Sequence, residues 1–232
     1  MKAPVYEIFS SIQGEGLLVG KRQIFVRFAG CNLDCIYCDT PKSRDPKNGK
    51  LFSVDELYKS VKSLVTPDLH SICLTGGEPL LYADFIKKFL KKCEFNALLE
   101  TNGSLPDNAK VISKFIDYAA VDIKLPRYIT VMGEEIIEKE IETINILMAK
   151  KVYTYCKIVV LPSTKVKSLK KVVKKIRDGI VNPLGLQIVL QPSSPLKNWI
   201  GKQKRLLKMS EIIGKDFNVR IIPQIHKILK FR

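Results

Sequence analysis

Three cysteines stand within eight residues in the stretch Cys31-Asn-Leu-Asp-Cys35-Ile-Tyr-Cys38-Asp-Thr40. That spacing lets one short loop turn three thiolates toward a single point. Such thiolates hold iron–sulfur clusters, and a 4Fe–4S cluster usually takes four of them. No fourth cysteine is near, so one iron would stay open to an outside ligand. A zinc site would need a fourth ligand at short range, and the two histidines, His70 and His226, are distant in sequence. Six cysteines without framework spacing do not read as disulfides. The stretch therefore reads as a metal or cluster loop, with iron–sulfur ahead of zinc.

Other stretches carry polar or glycine residues where a core element would not. Gly76-Gly77-Glu78-Pro79 follows 70–75, a short stretch that reads as a buried strand. Two glycines let backbone approach a ligand, and Glu78 adds a carboxylate able to accept from an ammonium; any strand-to-helix turn could look the same. Ser10-Ser-Ile-Gln13-Gly14-Glu15-Gly16 precedes the first expected strand and is too polar for a core element. Pro223-Gln224-Ile-His226-Lys227 lies near the other end. Arg27 sits among Phe25, Val26 and Phe28. It reads either as half of a structural salt bridge or as a fork for a substrate carboxylate. By residue type and place alone, His226 reads as a surface residue and Thr40 as a turn cap before Pro41. Cys73 and Cys156 read as core residues and Cys93 as a helix end.

Strands and helices must position these stretches. Residues 22–29 read as a strand running into Gly30 and the cysteine loop. Ser53-Val-Asp-Glu56 is a capping box, and Val54, Leu57, Val61, Leu64 and Val65 behind it recur at helical spacing. Further strands are expected at 70–75, 95–101, 118–124, 154–161, 186–191 and 218–222. Helices are expected at 82–92, 134–151, 165–178 and 199–214. This alternation implies one α/β domain, 1–232, with a curved, mainly parallel sheet. Strand count suits an incomplete (β/α) barrel, whose chemistry gathers at the carboxyl ends of the strands. Those ends carry the cysteine loop, Thr75-Gly-Gly-Glu78, Thr101-Asn-Gly, Asp122-Ile-Lys124 and Gln191-Pro-Ser-Ser.

Composition bounds the function class. The 232 residues suffice for one domain with a substantial core. No apolar run approaches the roughly 20 residues of a membrane span, and Glu7 interrupts any signal-peptide core. A cytoplasmic place, where thiols stay reduced, is expected. Lys and Arg total 39 against 23 Asp and Glu, a formal charge of +16. Such a balance attracts anions. Much of the excess lies in helix-like runs such as 165–175, which also read as a solvated face.

The cysteine loop, together with the glycine-rich tetrad, resembles the radical S-adenosylmethionine superfamily, in which the cofactor's methionine amine and carboxylate chelate the open iron. The Gln13-Gly-Glu-Gly16 segment, the Cys38-Asp-Thr40 ending and the Gln224–His226 segment resemble one family within it, the 7-carboxy-7-deazaguanine synthases. The likeness runs from about residue 5 to 226. It implies radical conversion of 6-carboxy-5,6,7,8-tetrahydropterin to 7-carboxy-7-deazaguanine with release of ammonia, in queuosine or archaeosine biosynthesis. Cys31, Cys35 and Cys38 would hold the cluster, and Thr40 a magnesium ion. Tyr37, Gly76, Gly77, Glu78, Asn102, Asp122, Lys124 and Gln191 would meet S-adenosylmethionine. Ile12, Gln13, Gly14, Glu15, Arg27, Thr75 and His226 would face the pterin. No catalytic residue beyond the cluster and cofactor is implied. An electron donor such as flavodoxin or ferredoxin and a homodimer are expected; a membrane or direct nucleic-acid partner is not. Two rival readings are an activating enzyme for a glycyl-radical protein and a basic, cluster-bearing nucleic-acid module.

Overall fold

In the computed structural model, residues 1–231 are described. In chain order the elements are β1 (Lys2–Ile12), β2 (Arg22–Phe28), β3 (Lys50–Ser53), α1 (Val54–Lys62), β4 (Leu69–Gly76), α2 (Ala83–Lys92), β5 (Ala97–Thr101) and α3 (Pro106–Ile112). There follow β6 (Tyr118–Ile123), α4 (Glu135–Ala149), β7 (Tyr153–Val160), α5 (Val166–Gly179), β8 (Gln187–Pro192), α6 (Gln203–Ile213), β9 (Asn218–Ile221) and α7 (Ile225–Leu229). The strands form one open sheet in the order β3-β1-β2-β4-β5-β6-β7-β8-β9. From β2 through β9 every pairing is parallel, while β1 runs antiparallel to both β2 and β3. The sheet does not close into a barrel; β3 and β9 remain its edges. Among the described residues no helix is long and apolar enough to cross a membrane.

Alternation along the strands sorts side chains to two faces. On β4, Ile72 and Leu74 turn toward the helices, where they join Leu57 and Val61 of α1 and Ile86 and Phe89 of α2 in the larger core. Cys73 turns the other way and joins Phe9, Phe25, Leu98, Ala120, Tyr155 and Val189 in a smaller layer. Helix α2 is amphipathic for this reason. Its Phe85, Ile86, Phe89 and Leu90 are buried while Lys91 and Lys92 close its last turn in solvent. Phe89 is fully buried, so its truncation to Ala would cost about 3–5 kcal/mol. The capping box at α1 is present: Ser53 Oγ accepts from Glu56 N at 3.3 Å, and Glu56 Oε2 accepts from Ser53 N at 2.7 Å.

Three expectations need correction. Ser10, Ser11 and Ile12 do not precede the first strand; they end β1, paired with Ile24, Gln23 and Arg22. Their polar side chains fit a strand because neighbours satisfy them, as where Arg22 Nε donates to Ser10 Oγ at 3.0 Å. The short helix α3 was not expected between the strands at 95–101 and 118–124. The helix expected over 199–214 starts only at Gln203, because a separate turn covers Leu196–Trp199 and Gly201 takes a positive φ of 75°.

Candidate active site

Parallel register places the strand ends side by side: Phe28 pairs with Gly76, Thr101 with Val121, Ile123 with Ile158 and Val159 with Gln191. Beyond these ends lie two adjoining cavities, of about 480 and 320 Å³. Cys31, Cys35, Cys38, Tyr37 and Gln191 line the larger. Ile12, Gln13, Gly14, Arg27, Thr75 and His226 line the smaller. Thr40, Gly76, Gly77, Asn102, Asp122, Lys124 and Glu15 belong to both walls. Of the site residues that the family resemblance implies, Glu78 alone lines neither.

The cysteine loop leaves β2 through Gly30, whose N donates to Ser43 O at 2.8 Å; Cys31 N donates to Arg44 O at 3.1 Å. Farther on, Ile36 N donates to Tyr128 O at 3.0 Å. All three thiols are free and partly exposed to the cavity. Burial pushes Cys31 up to about 11 and raises Cys35 as well. The donor set fits a cluster: three sulfurs on one wall, with no histidine among the residues lining the larger cavity to complete a zinc site. The same cavity suits a polar cofactor with an apolar body. Gln191 Oε1 and Tyr37 Oη are buried there without hydrogen-bond partners, and such groups normally find one. Val159, Leu161 and Ile36 supply apolar wall.

Glu78 corrects an expectation. It is fully buried, and its carboxylate accepts from Leu80 N at 2.9 Å, Thr101 Oγ1 at 2.8 Å and Asn102 N at 2.7 Å. Enclosed in this way and lining neither cavity, the carboxylate does not face a ligand there. Burial pushes this carboxyl up to about 7 against those hydrogen bonds. Its role is to fasten the ends of β4 and β5 together. The glycines beside it serve packing as well as access. A Cβ on Gly77 would meet Gly30 O and Ser43 O, and one on Gly76 would meet the Phe28 backbone.

The smaller cavity is ionic. Glu15 Oε2 accepts from Lys157 Nζ at 2.8 Å and its Oε1 accepts from Gln224 Nε2 at 2.6 Å. Burial raises the Glu15 carboxyl, but the charge of Lys157 and the two hydrogen bonds overcome this and hold it at about 2. Asp122 pairs with Lys157 and Lys124, each at 3.2 Å. Gln13 Nε2 donates to Glu100 Oε1 and to Gln23 Oε1, both at 3.0 Å. Arg27 Nε meets Glu7 Oε1 at 2.8 Å and its guanidinium stands 5.9 Å from the Phe9 ring centre, while still lining the cavity. Salt bridge and cavity position thus coexist.

Thr40 does not cap the turn before Pro41: its side chain makes no cap bond, and its carbonyl accepts from Ser43 N at 3.0 Å instead. Thr40 and its neighbour Asp39 line both cavities. Glu15, Asp39 and His226 bring ligand atoms within 4.8 Å of one another. Their negative charge is already met by Lys157 and by Lys227, 3.6 Å from Asp39. His226 packs on the Gly14 Cα, and Ile225 N donates to Gly14 O at 2.9 Å, so the C-terminal turn clasps the loop after β1.

Sequence reasoning missed Lys157, Glu100, Asp39 and Gln224 as site residues. Lys157 had a signal: a lysine within the run Tyr155-Cys-Lys-Ile-Val-Val160 sits where a strand should be apolar, and buried lysines need partners. Glu100 and Asp39 had none beyond adjacency to Thr101 and Thr40.

Residues 25–176 match the radical SAM superfamily. A 7-carboxy-7-deazaguanine synthase of Methanothermobacter thermautotrophicus is 49% identical over 100% of this chain and 99% of that protein. One from Archaeoglobus fulgidus is 36% identical over the full length of both. Among solved structures, QueE from Escherichia coli superposes with a TM-score of 0.65 at 21% identity, covering 97% of this chain and 95% of that one. TYW1 with a lysine-pyruvate adduct bound shares the fold more distantly, with a TM-score of 0.58 at 16% identity over 86% and 75% of the two chains.

Proposed function

This chain belongs to the 7-carboxy-7-deazaguanine synthases of the radical S-adenosylmethionine superfamily, and on that premise we propose that its two cavities divide cofactor from substrate in converting 6-carboxy-5,6,7,8-tetrahydropterin to 7-carboxy-7-deazaguanine with release of ammonia. Cys31, Cys35 and Cys38 hold the cluster, and the orphaned Gln191 Oε1, Tyr37, Asn102, Asp122 and Lys124 receive S-adenosylmethionine. When bound, these groups supply a hydrogen-abstracting radical; the protein supplies position and a wall against water. In the neighbouring cavity the Arg27 fork takes the substrate carboxylate. Glu15 accepts from the 2-amino and N3–H edge of the pterin, a pair of adjacent donors that suits an ionised carboxylate. Gln13, Gly14, Thr75 and His226 shape the rest. Thr40 ligates magnesium together with substrate oxygens and water, a donor set suited to a hard cation.

The observation that carries this reading is the shared wall: three free thiols and an ionic cluster centred on Glu15 face adjoining cavities that meet at Thr40, Gly76 and Gly77. The family likeness supports the remaining assignments: the whole chain as one catalytic domain, a homodimer, a cytoplasmic place, and a small electron donor such as flavodoxin or ferredoxin. The test is whether reductive cleavage of S-adenosylmethionine, in protein with a verified cluster, rises when 6-carboxytetrahydropterin and magnesium are added and no second protein is present. A rise supports a small-molecule substrate. Cleavage that ignores the pterin and responds only to an added protein contradicts it.

A further inference from the structure

We infer that Lys157 is a positioning residue that sets Glu15 for substrate and so decides which heterocycle the smaller cavity accepts. This rests on the pterin-binding reading above. Lys157 lies on β7 with only 4% of its side chain exposed. Its Nζ makes a directed hydrogen bond to Glu15 Oε2 at 2.8 Å. It approaches Asp122 Oδ1 at 3.2 Å, but Oδ1 there accepts no hydrogen bond, so that contact is an ion pair without hydrogen-bond geometry. Glu15 is therefore the partner that Lys157 orients. Asp122 keeps a second cation, since Lys124 Nζ donates to its other oxygen.

Glu15 needs such a fixture. It lies after β1 has ended, outside any strand or α-helix, 142 residues from Lys157 in sequence. Its position is set by three bonds: its N donates to Gln13 Oε1 at 3.0 Å, Gln224 holds Oε1 and Lys157 holds Oε2. Each carboxylate oxygen has about two acceptor sites, so each keeps one for a ligand donor. Two adjacent donors, as on a 2-amino pyrimidinone edge, match that pair; a carbonyl in place of the amino group would face an anion. Glu15, Asp122 and Glu100 all line this cavity. Lys157, buried among them, is the cation that lets Glu15 stay ionised there, which burial alone would oppose. Gln224 orients one oxygen but carries no charge.

The test uses the full chain and equilibrium binding rather than turnover. The probes are oxidised 6-carboxypterin, its 2-oxo counterpart 6-carboxylumazine, and S-adenosylmethionine. K157M and E15Q should each weaken 6-carboxypterin binding by at least about tenfold, as expected when one partner of a buried charge pair is removed. The double variant should be no weaker than the worse single one, because Lys157 acts through Glu15. Preference for pterin over lumazine should fall toward one in K157M. Binding of S-adenosylmethionine should stay within about threefold of wild type, because Lys124 still holds Asp122. K157Q, checked by thermal melting, replaces K157M if that variant does not fold. Wild-type pterin affinity in the Lys157 variant, losses that add in the double variant, or an equal loss of S-adenosylmethionine binding would each overturn the inference. A wild-type protein that binds S-adenosylmethionine but not 6-carboxypterin would instead overturn the substrate reading on which the inference rests.

Discussion

Replacing Glu78 by Gln should alter stability in a manner that depends on pH, and the direction is unusual for a glutamate. Glu78 is fully buried, and burial raises its carboxyl from the ordinary 4.5 to about 7 in the folded chain. Between those values the folded state holds a proton that the unfolded state has released. Stability from this group is therefore fully present below pH 4.5 and lost as pH rises to 7. At about 1.36 kcal/mol per pH unit, the loss between pH 5 and pH 8 comes to about 2–3 kcal/mol. Glutamine does not titrate. Its amide, however, sets one N–H group against a donor, since Asn102 N, Leu80 N and Thr101 Oγ1 all point at the carboxylate. That mismatch costs about 1–3 kcal/mol at every pH. Urea unfolding of wild type and E78Q, at pH 5 and at pH 8, should show the variant clearly weaker at pH 5 and the gap closed or reversed at pH 8. A gap that is constant, or that widens with pH, would refute the reasoning and mean that Glu78 is ionised in its site throughout.

Three other perturbations probe separate parts of the site. Gly77→Ala pushes a methyl onto Gly30 O and Ser43 O at the entry of the cysteine loop; it should cost about 1–3 kcal/mol in a denaturant melt and lower iron content after reconstitution, and full iron loading would contradict this. Arg27→Ala should raise the pterin concentration needed for turnover while uncoupled cofactor cleavage persists, and loss of both activities would count against its placement. Gln191→Leu removes the unpartnered acceptor of the larger cavity. It should weaken S-adenosylmethionine binding by about tenfold and leave 6-carboxypterin binding unchanged, and unchanged cofactor binding would contradict the assignment.

What could be read in the sequence was what is local. The cysteine loop, the glycine pair and the strand-then-helix alternation each sit within a few residues, and the parallel sheet followed from that alternation. Strand β1 escaped because its end is polar, with Ser10 and Ser11 satisfied by neighbours rather than buried as apolar groups. Glu78 was misread because residue type suggested a ligand for an ammonium, whereas the meeting of β4 and β5 turns its carboxylate into a staple between strand ends. Lys157 carried a signal, a lysine inside an apolar strand, but its partners and those of Glu100 come from sheet register and from a loop far away in sequence, so their place in the site could not be read. Gln224 and Lys227 needed the C-terminal turn to fold back on Gly14 and Asp39 before their place could be seen.

The central claim is that this chain turns a carboxylated tetrahydropterin into a deazapurine using three cysteines of one loop. Its most direct measurement is anaerobic: reconstituted wild type and C35A, each with dithionite, S-adenosylmethionine, magnesium and 6-carboxy-5,6,7,8-tetrahydropterin, followed by mass spectrometry. Wild type should form 7-carboxy-7-deazaguanine, and C35A should form neither that product nor 5′-deoxyadenosine. Cofactor cleavage without product from wild type carrying a verified cluster would contradict the substrate assignment, and product from C35A would contradict the role given to the cysteine loop.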